Sequence, residues 1–132
     1  MTRDISSSNI KGEMMIFFFD TYAFIEVIRG SPNYKRFENV SIITTIFNLA
    51  ELNYILKKEM NKEKADAYTQ DYEIFLVDVS LEDIKVAMDL KTKHRNFSIP
   101  DAIGYIIAKK YGAKFLTGDS GFEHFPNVEF VK

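Results

Sequence analysis

A run of five apolar residues, 15–19 (Met-Ile-Phe-Phe-Phe), stops abruptly at Asp20. Apolar residues without alternation read as a strand buried on both faces, and such strands belong to parallel sheets covered by helices. Residues 41–44, 76–79, 113–116 and 128–131 read as further short strands. Between them, 21–28, 45–60, 62–75, 81–93 and 98–111 read as helices, and 33–37 as one more helical turn. Ile84, Ala87, Met88 and Lys91 follow the three-and-four spacing of an amphipathic helix. Gly30 and Pro32 stop the first helix, and Gly112 closes the last one as a left-handed C-terminal residue. Alternating strands and helices predict an α/β fold: a central parallel sheet in a three-layer α/β/α sandwich. A chain of 132 residues is one domain by length, and 12 Phe and 7 Tyr suffice for a core. Residues 1–13 are polar, serine-rich and aperiodic, which predicts a flexible tail ahead of a single domain over 14–132.

Four carboxylates sit where apolar surroundings should exclude them: Asp20, Glu51, Asp101 and Asp119. Dehydrating a carboxylate costs several kcal/mol unless something compensates, and a divalent cation is one compensation. Each residue also has a structural reading. Asp20 can N-cap the helix over 21–28, and Asp101 sits three residues after Ser98 with Pro100 in the first turn. Asp119 lies in a turn, between Thr117-Gly118 and Ser120-Gly121. Glu51 has Phe47, Tyr54 and Ile55 as helical neighbours and Leu49, Leu52 and Leu56 on the opposite stripe. Its helix reads as apolar all round and buried, with a buried salt bridge as the structural alternative. In an open parallel sheet, ligands bind outside the carboxyl ends of the strands. Asp20 and Asp119 follow strand-like runs, and Glu51 and Asp101 lie on helices able to lean over the same edge. Thr117 offers a hydroxyl that can orient a carboxylate.

Composition excludes several classes. No cysteine is present, so a disulfide framework, a thiolate zinc site and a thiol nucleophile are ruled out, and a reducing cytoplasm is the expected setting. Apolar runs fall well short of the roughly 20 residues a membrane span needs, and no secretory pattern opens the chain. The net charge of −2 comes from 17 basic and 19 acidic side chains. With the four focal carboxylates neutralised, 17 basic residues face 15 acidic ones, so overall charge does not decide whether nucleic acid binds. His94 and His124 lie in polar stretches and read as exposed bystanders. Lys91, Lys93 and Arg95 are candidates for phosphate contacts, as are Lys57, Lys58, Lys62 and Lys64, all with a solvated face as the alternative.

Four segments carry a resemblance: residues 18–25 (Phe-Phe-Asp-Thr-Tyr-Ala-Phe-Ile), 45–52 (Thr-Ile-Phe-Asn-Leu-Ala-Glu-Leu), 99–108 (Ile-Pro-Asp-Ala-Ile-Gly-Tyr-Ile-Ile-Ala) and 115–122 (Phe-Leu-Thr-Gly-Asp-Ser-Gly-Phe). In this order and spacing the chain resembles a PIN-domain protein, specifically a VapC-type toxin ribonuclease, over nearly its whole length. The resemblance implies a PIN-like α/β/α sandwich that cuts RNA with Mg²⁺ or Mn²⁺. It assigns the acidic quartet to Asp20, Glu51, Asp101 and Asp119, and the polar helper to Thr117. Thr45 matches a Ser or Thr often found at that helix start. Tyr22 departs from the pattern, standing where a small Ser or Asn is common, and Gly104-Tyr105 replaces a stretch usually richer in Ala.

The expected chemistry is attack on phosphorus by water activated at the ion. Asp20 with Asp101 or Asp119 is expected to touch the metal, and Glu51 to act through water or a second ion. The resemblance also implies a small antitoxin partner across the groove and a homodimer. Phe24, Ile28 and Tyr34 are candidates for the antitoxin surface, with core packing as the alternative. A phosphoaspartyl hydrolase or a receiver-like phosphoacceptor fits less well: Tyr22 stands where the former wants a second Asp, and Asp20 lacks the acidic neighbour the latter needs. A non-catalytic PIN-fold binding module, or an RNA-processing nuclease without an antitoxin, are the remaining alternatives.

Overall fold

The computed structural model describes residues 15–132. The segment expected to be a flexible tail lies outside the described residues. Strand β1 (Ile16–Phe19) leads into α1 (Thr21–Ile28) and a 3-10 segment, Pro32–Phe37. Then come β2 (Ser41–Ile43), α2 (Ile46–Glu59), α3 (Lys62–Asp71), a 3-10 turn at Glu73–Phe75, α4 (Leu81–Lys93) and α5 (Ile99–Lys110). The chain closes with β3 (Lys114–Thr117), a 3-10 turn at Ser120–Phe122 and β4 (Val128–Phe130). The sheet has the order β2-β1-β3-β4 and every pairing is parallel.

The period-two geometry of a strand explains how three consecutive phenylalanines hold this molecule together. Side chains alternate between faces, so Phe17 and Phe19 point one way and Phe18 the other. Phe17 and Phe19 join Phe24, Tyr34, Leu52, Leu56 and Leu116 in one core. Phe18 joins Phe97, Ile103, Ile107, Phe115 and Phe122 in a second core. Helices thus cover both faces of the sheet, which is the three-layer α/β/α arrangement. Gly104 lets α5 lie directly on the sheet: a Cβ there would sit 2.7 Å from Phe18 Cε1.

Three expectations are corrected. Residues 76–79 form no strand; Leu76 makes an isolated parallel bridge to Thr44. Two backbone hydrogen bonds of 3.0 Å, Thr44 N–H to Phe75 O and Val77 N–H to Thr44 O, are all that the pairing yields. Val77 and Val79 pack on the second core, and Ser80 already caps α4. The helix expected over 62–75 ends at Asp71: Tyr72 caps it and packs its ring on Phe24, with centroids 4.4 Å apart, and Glu73–Phe75 follow as a 3-10 turn. Helix α2 is not buried all round: Ile46 and Tyr54 are exposed, so one face is open to solvent.

The chain leaves β1 toward β2 on one side and later crosses back to place β3 on the other. Beyond the carboxyl ends of β1 and β3 the sheet therefore has a topological switch point, where open α/β sheets form their ligand crevice. No helix among the described residues is long and apolar enough to cross a membrane.

Candidate active site

Asp20 directly follows β1 and is 1 % exposed. Its Oδ1 accepts the Ala23 N–H at 2.8 Å, so the same residue N-caps α1. Asp119 follows β3 by two residues. Its Oδ1 accepts the Gly121 N–H at 3.0 Å, and its own N–H donates to Thr117 Oγ1 at 3.0 Å. Asp101 belongs to a capping box at the start of α5: Ser98 N–H donates to Asp101 Oδ2 at 3.0 Å, and Asp101 N–H to Ser98 Oγ at 3.1 Å. Glu51 leaves the middle of α2, where Oε1 accepts the Thr21 hydroxyl at 2.6 Å. Four segments distant in sequence thus deliver four carboxylates to one cleft of about 390 Å³, lined also by Thr21, Tyr22, Ser98 and Gly118.

The electrostatics follow from this placement. Burial, above all, pushes the Asp20 carboxyl up to about 8; the charges of Asp101 and Asp119 add to the rise, and the Thr117 hydroxyl and Ala23 N–H offset part of it. Burial pushes Asp101 up to about 6, with Glu51 and Asp119 adding and the Ser98 N–H opposing. Among the described residues, no Lys or Arg forms an ion pair with any of the four. No basic side chain among the described residues therefore offsets these carboxylates through an ion pair.

Hard oxygen donors in a site short of positive charge fit a divalent cation of the Mg²⁺ type. Each capping or hydroxyl contact engages one oxygen of a carboxylate: Asp20 Oδ1, Glu51 Oε1, Asp101 Oδ2 and Asp119 Oδ1. No group of three His, Cys, Asp or Glu side chains among the described residues is close enough to hold an ion between them. That matches carboxylates turned toward their caps, and Mg²⁺ is commonly bound by only one or two carboxylates plus water and substrate phosphate.

Other sequence expectations fare variously. Thr117 is buried beside Asp20. Thr45 caps the start of α2: its hydroxyl accepts the Asn48 N–H at 3.2 Å and donates to Asn48 Oδ1 at 2.7 Å. Phe24 and Tyr34 are completely buried, so they belong to the core and offer no partner surface. Lys91 is committed to the chain itself, donating to Phe97 O at 2.6 Å and Arg95 O at 3.2 Å. Lys57 and Lys62 both pair with Asp66. His124 is exposed, whereas His94 is half-buried and stacks on Phe97 at 5.3 Å. Sequence reasoning missed Thr21 as the group that holds Glu51. Its position beside Asp20 was the one available signal.

A parallel sheet wrapped on both faces, with acidic residues gathered at its switch point, defines the class of fold. The PIN domain profile matches residues 17–128, and the chain belongs to the PIN-domain family, whose members are in general nucleases. No curated protein matches the sequence. Among solved structures, a chain of a toxin–antitoxin complex from Klebsiella pneumoniae superposes with a TM-score of 0.68 at 17 % identity, covering 86 % of this chain and 95 % of that one. A chain of the crystal structure of VapBC2 from Rickettsia felis, bound to a DNA fragment from their promoter, gives a TM-score of 0.66 at 21 % identity, covering 89 % and 100 %. At these identities the likeness is one of fold.

Proposed function

We propose that this protein is a metal-dependent endoribonuclease and the toxin member of a toxin–antitoxin pair. One observation carries the nuclease reading: Asp20, Glu51, Asp101 and Asp119 line a single cleft at the switch point, with no cation of the chain paired to them among the described residues. Asp20 together with Asp101 or Asp119 would hold Mg²⁺ or Mn²⁺ directly, and the remaining carboxylates, Glu51 among them, would act through water or a second ion. When bound, the ion supplies positive charge to the scissile phosphate and acidifies water at the site.

The chain's own residues do the positioning. The Ala23 N–H fixes Asp20, the Ser98 N–H fixes Asp101 and the Gly121 N–H fixes Asp119, each through a single oxygen. Thr21 turns Glu51 inward, and Thr117 sets the backbone of Asp119 while its hydroxyl faces Asp20. Orientation fixed in advance lowers the cost of gathering like charges around substrate and ion. The toxin assignment is supported by the fold shared with chains from two toxin–antitoxin complexes. An antitoxin partner, a homodimer and a cytoplasmic setting go with that assignment.

Incubating the purified protein with mixed RNA tests the reading. Cleavage is expected with Mg²⁺ or Mn²⁺, none with EDTA, and a fall of at least about 100-fold in Asp101→Asn, the scale seen when a transition-state contact is removed. Full activity in EDTA would reject the metal chemistry. Silence under every metal condition would favour a non-catalytic PIN-fold module, in which Asp20, Asp101 and Asp119 serve only as caps and Glu51 only as the acceptor of Thr21.

A further inference from the structure

The acidic cleft has one wall of different chemistry, built from Tyr22, Gly118 and Lys132. Tyr22 is half-buried and leans over Gly118 so closely that a Cβ there would lie 2.3 Å from Tyr22 Cε1 and 2.5 Å from the Val131 carbonyl oxygen. Only a glycine admits the ring at this depth. Beneath it, Tyr34 lies 6.2 Å away between ring centroids, and Tyr34 is itself pinned by donating its hydroxyl to Val131 O at 2.6 Å. The Tyr22 hydroxyl has no hydrogen-bond partner among the described residues, so the ring is held in the cleft wall by packing alone.

Lys132 completes the wall. It is the one cationic residue lining this cleft, and it forms no ion pair among the described residues. Its backbone is held in place from both sides. Asn33 Nδ2 donates to Lys132 O at 3.1 Å, and the preceding Val131 N–H donates to Thr117 O at 2.9 Å. An exposed lysine at the rim of an acidic cleft, with no ion pair inside the chain, is free to meet an anion that arrives from outside.

We infer that Tyr22 and Lys132 form the subsite for a nucleotide next to the scissile phosphate of a single-stranded RNA: the Tyr22 ring stacks on the base and the Lys132 ammonium meets a backbone phosphate. The inference rests on the ribonuclease reading above and deepens it. An aromatic ring can stack only on a base freed from its duplex, and stacking tolerates any base because every base has a π face. The cation compensates, on the substrate side, for the repulsion an acidic cleft exerts on phosphate. Both residues act on binding, leaving the ion-holding carboxylates to act on the chemical step.

Anisotropy of a short labelled single-stranded RNA, with Ca²⁺ in place of Mg²⁺ to hold the carboxylates without rapid turnover, reads the subsite directly. Tyr22→Leu is expected to bind about 10-fold more weakly, and Tyr22→Phe close to wild type, since stacking needs the ring. Lys132→Met is expected to flatten the plot of log affinity against log salt by about 0.7, the increment for one phosphate contact on a single strand. Lys132 is exposed, so its variant tests the subsite even if Tyr22→Leu folds poorly. Wild type should also prefer the single strand to a duplex of the same sequence. In cleavage assays both variants should raise KM with kcat nearly unchanged. Wild-type affinity and salt slope in Tyr22→Leu and Lys132→Met, alongside normal metal-dependent cleavage by wild type, would overturn the subsite alone. Absence of wild-type cleavage under any metal condition would remove the nuclease reading and the subsite with it.

Discussion

Asp20 combines two jobs that pull its ionisation in opposite directions. As a cap it accepts the Ala23 N–H, which favours the carboxylate; as a residue with almost no contact with water it is driven toward the neutral acid. Burial wins, and the group titrates at about 8 in the metal-free fold, against an ordinary value of 3.8. The consequence for stability has a definite sign. Below about pH 4 Asp20 is protonated in both folded and unfolded chains, so its ionisation adds no slope there. Between 3.8 and about 8 the folded state holds the proton more tightly than the unfolded state does, so unfolding free energy falls as pH rises. Asp101, pushed up to about 6, adds to the lower half of that window. Asp66 and Asp83 are shifted down by their partners, so their contribution is lost only on the acid side, below this range. Urea melts in EDTA at pH 5 and pH 8 are expected to show wild type less stable at pH 8. The excess slope over Asp20→Asn should approach about 1.4 kcal/mol per pH unit, the limit for one proton. Asparagine keeps the capping oxygen but cannot ionise, so parallel profiles for the two proteins would show that Asp20 titrates normally.

Two helices begin with the same device, and only one of them borders the cleft. Ser98 and Asp101 form the capping box of α5; Ser80 and Asp83 form that of α4, where Asp83 also takes Lys110 at 2.9 Å. Ser98→Ala and Ser80→Ala should each cost about 1 kcal/mol of stability, the usual value of an N-cap. Their effects on RNA cleavage should part: Ser98→Ala removes the acceptor of the Asp101 N–H, loosening the helix start that positions this carboxylate, and lowers kcat several-fold, whereas Ser80→Ala leaves kcat alone. Equal activity in the two variants, once both are measured well below their melting temperatures, would mean that the α5 cap is only structural. The contrast also marks which site residues a linear sequence can disclose. The Ser98 to Asp101 spacing with Pro100 is a local signal, and by itself it sets Asp101 at the third helical position. Asp20 and Asp119 are equally local, since each follows a strand-like run. Glu51 is legible only as an anomaly among apolar neighbours, because its partner Thr21 lies 30 positions away. The strand expected over 76–79 fails for a related reason: apolar composition marks it for burial, but Val77 and Val79 find that burial on the second core without a ladder.

At the scale of the whole molecule, the sheet converts sequence order into the geometry of the cleft. The β2-β1-β3-β4 order sends successive crossovers to opposite sides of β1, and the crevice this leaves receives the ends of both central strands. Two separate cores hold that crevice open from opposite faces: α1 and α2 belong to the Phe17–Phe19 face, α5 to the Phe18 face, and each contributes to the acidic wall. Gathering carboxylates there costs the fold stability, and a ligand that neutralises them should return it. Because Asp20 carries a proton in the metal-free fold below about pH 8, binding of a cation must displace that proton, and the linkage makes apparent affinity rise with pH. Mg²⁺ or Mn²⁺ should therefore raise the melting temperature of wild type more at pH 8 than at pH 5. At 100 times the dissociation constant the gain is about 2.7 kcal/mol. In Asp20→Asn the gain should be small, since one oxygen ligand has lost its charge, and should depend less on pH, since residue 20 no longer has a proton to exchange. A thermal shift that is the same at the two pH values, or that survives intact in Asp20→Asn, would place the ion elsewhere on the molecule and detach the burial of Asp20 from metal binding.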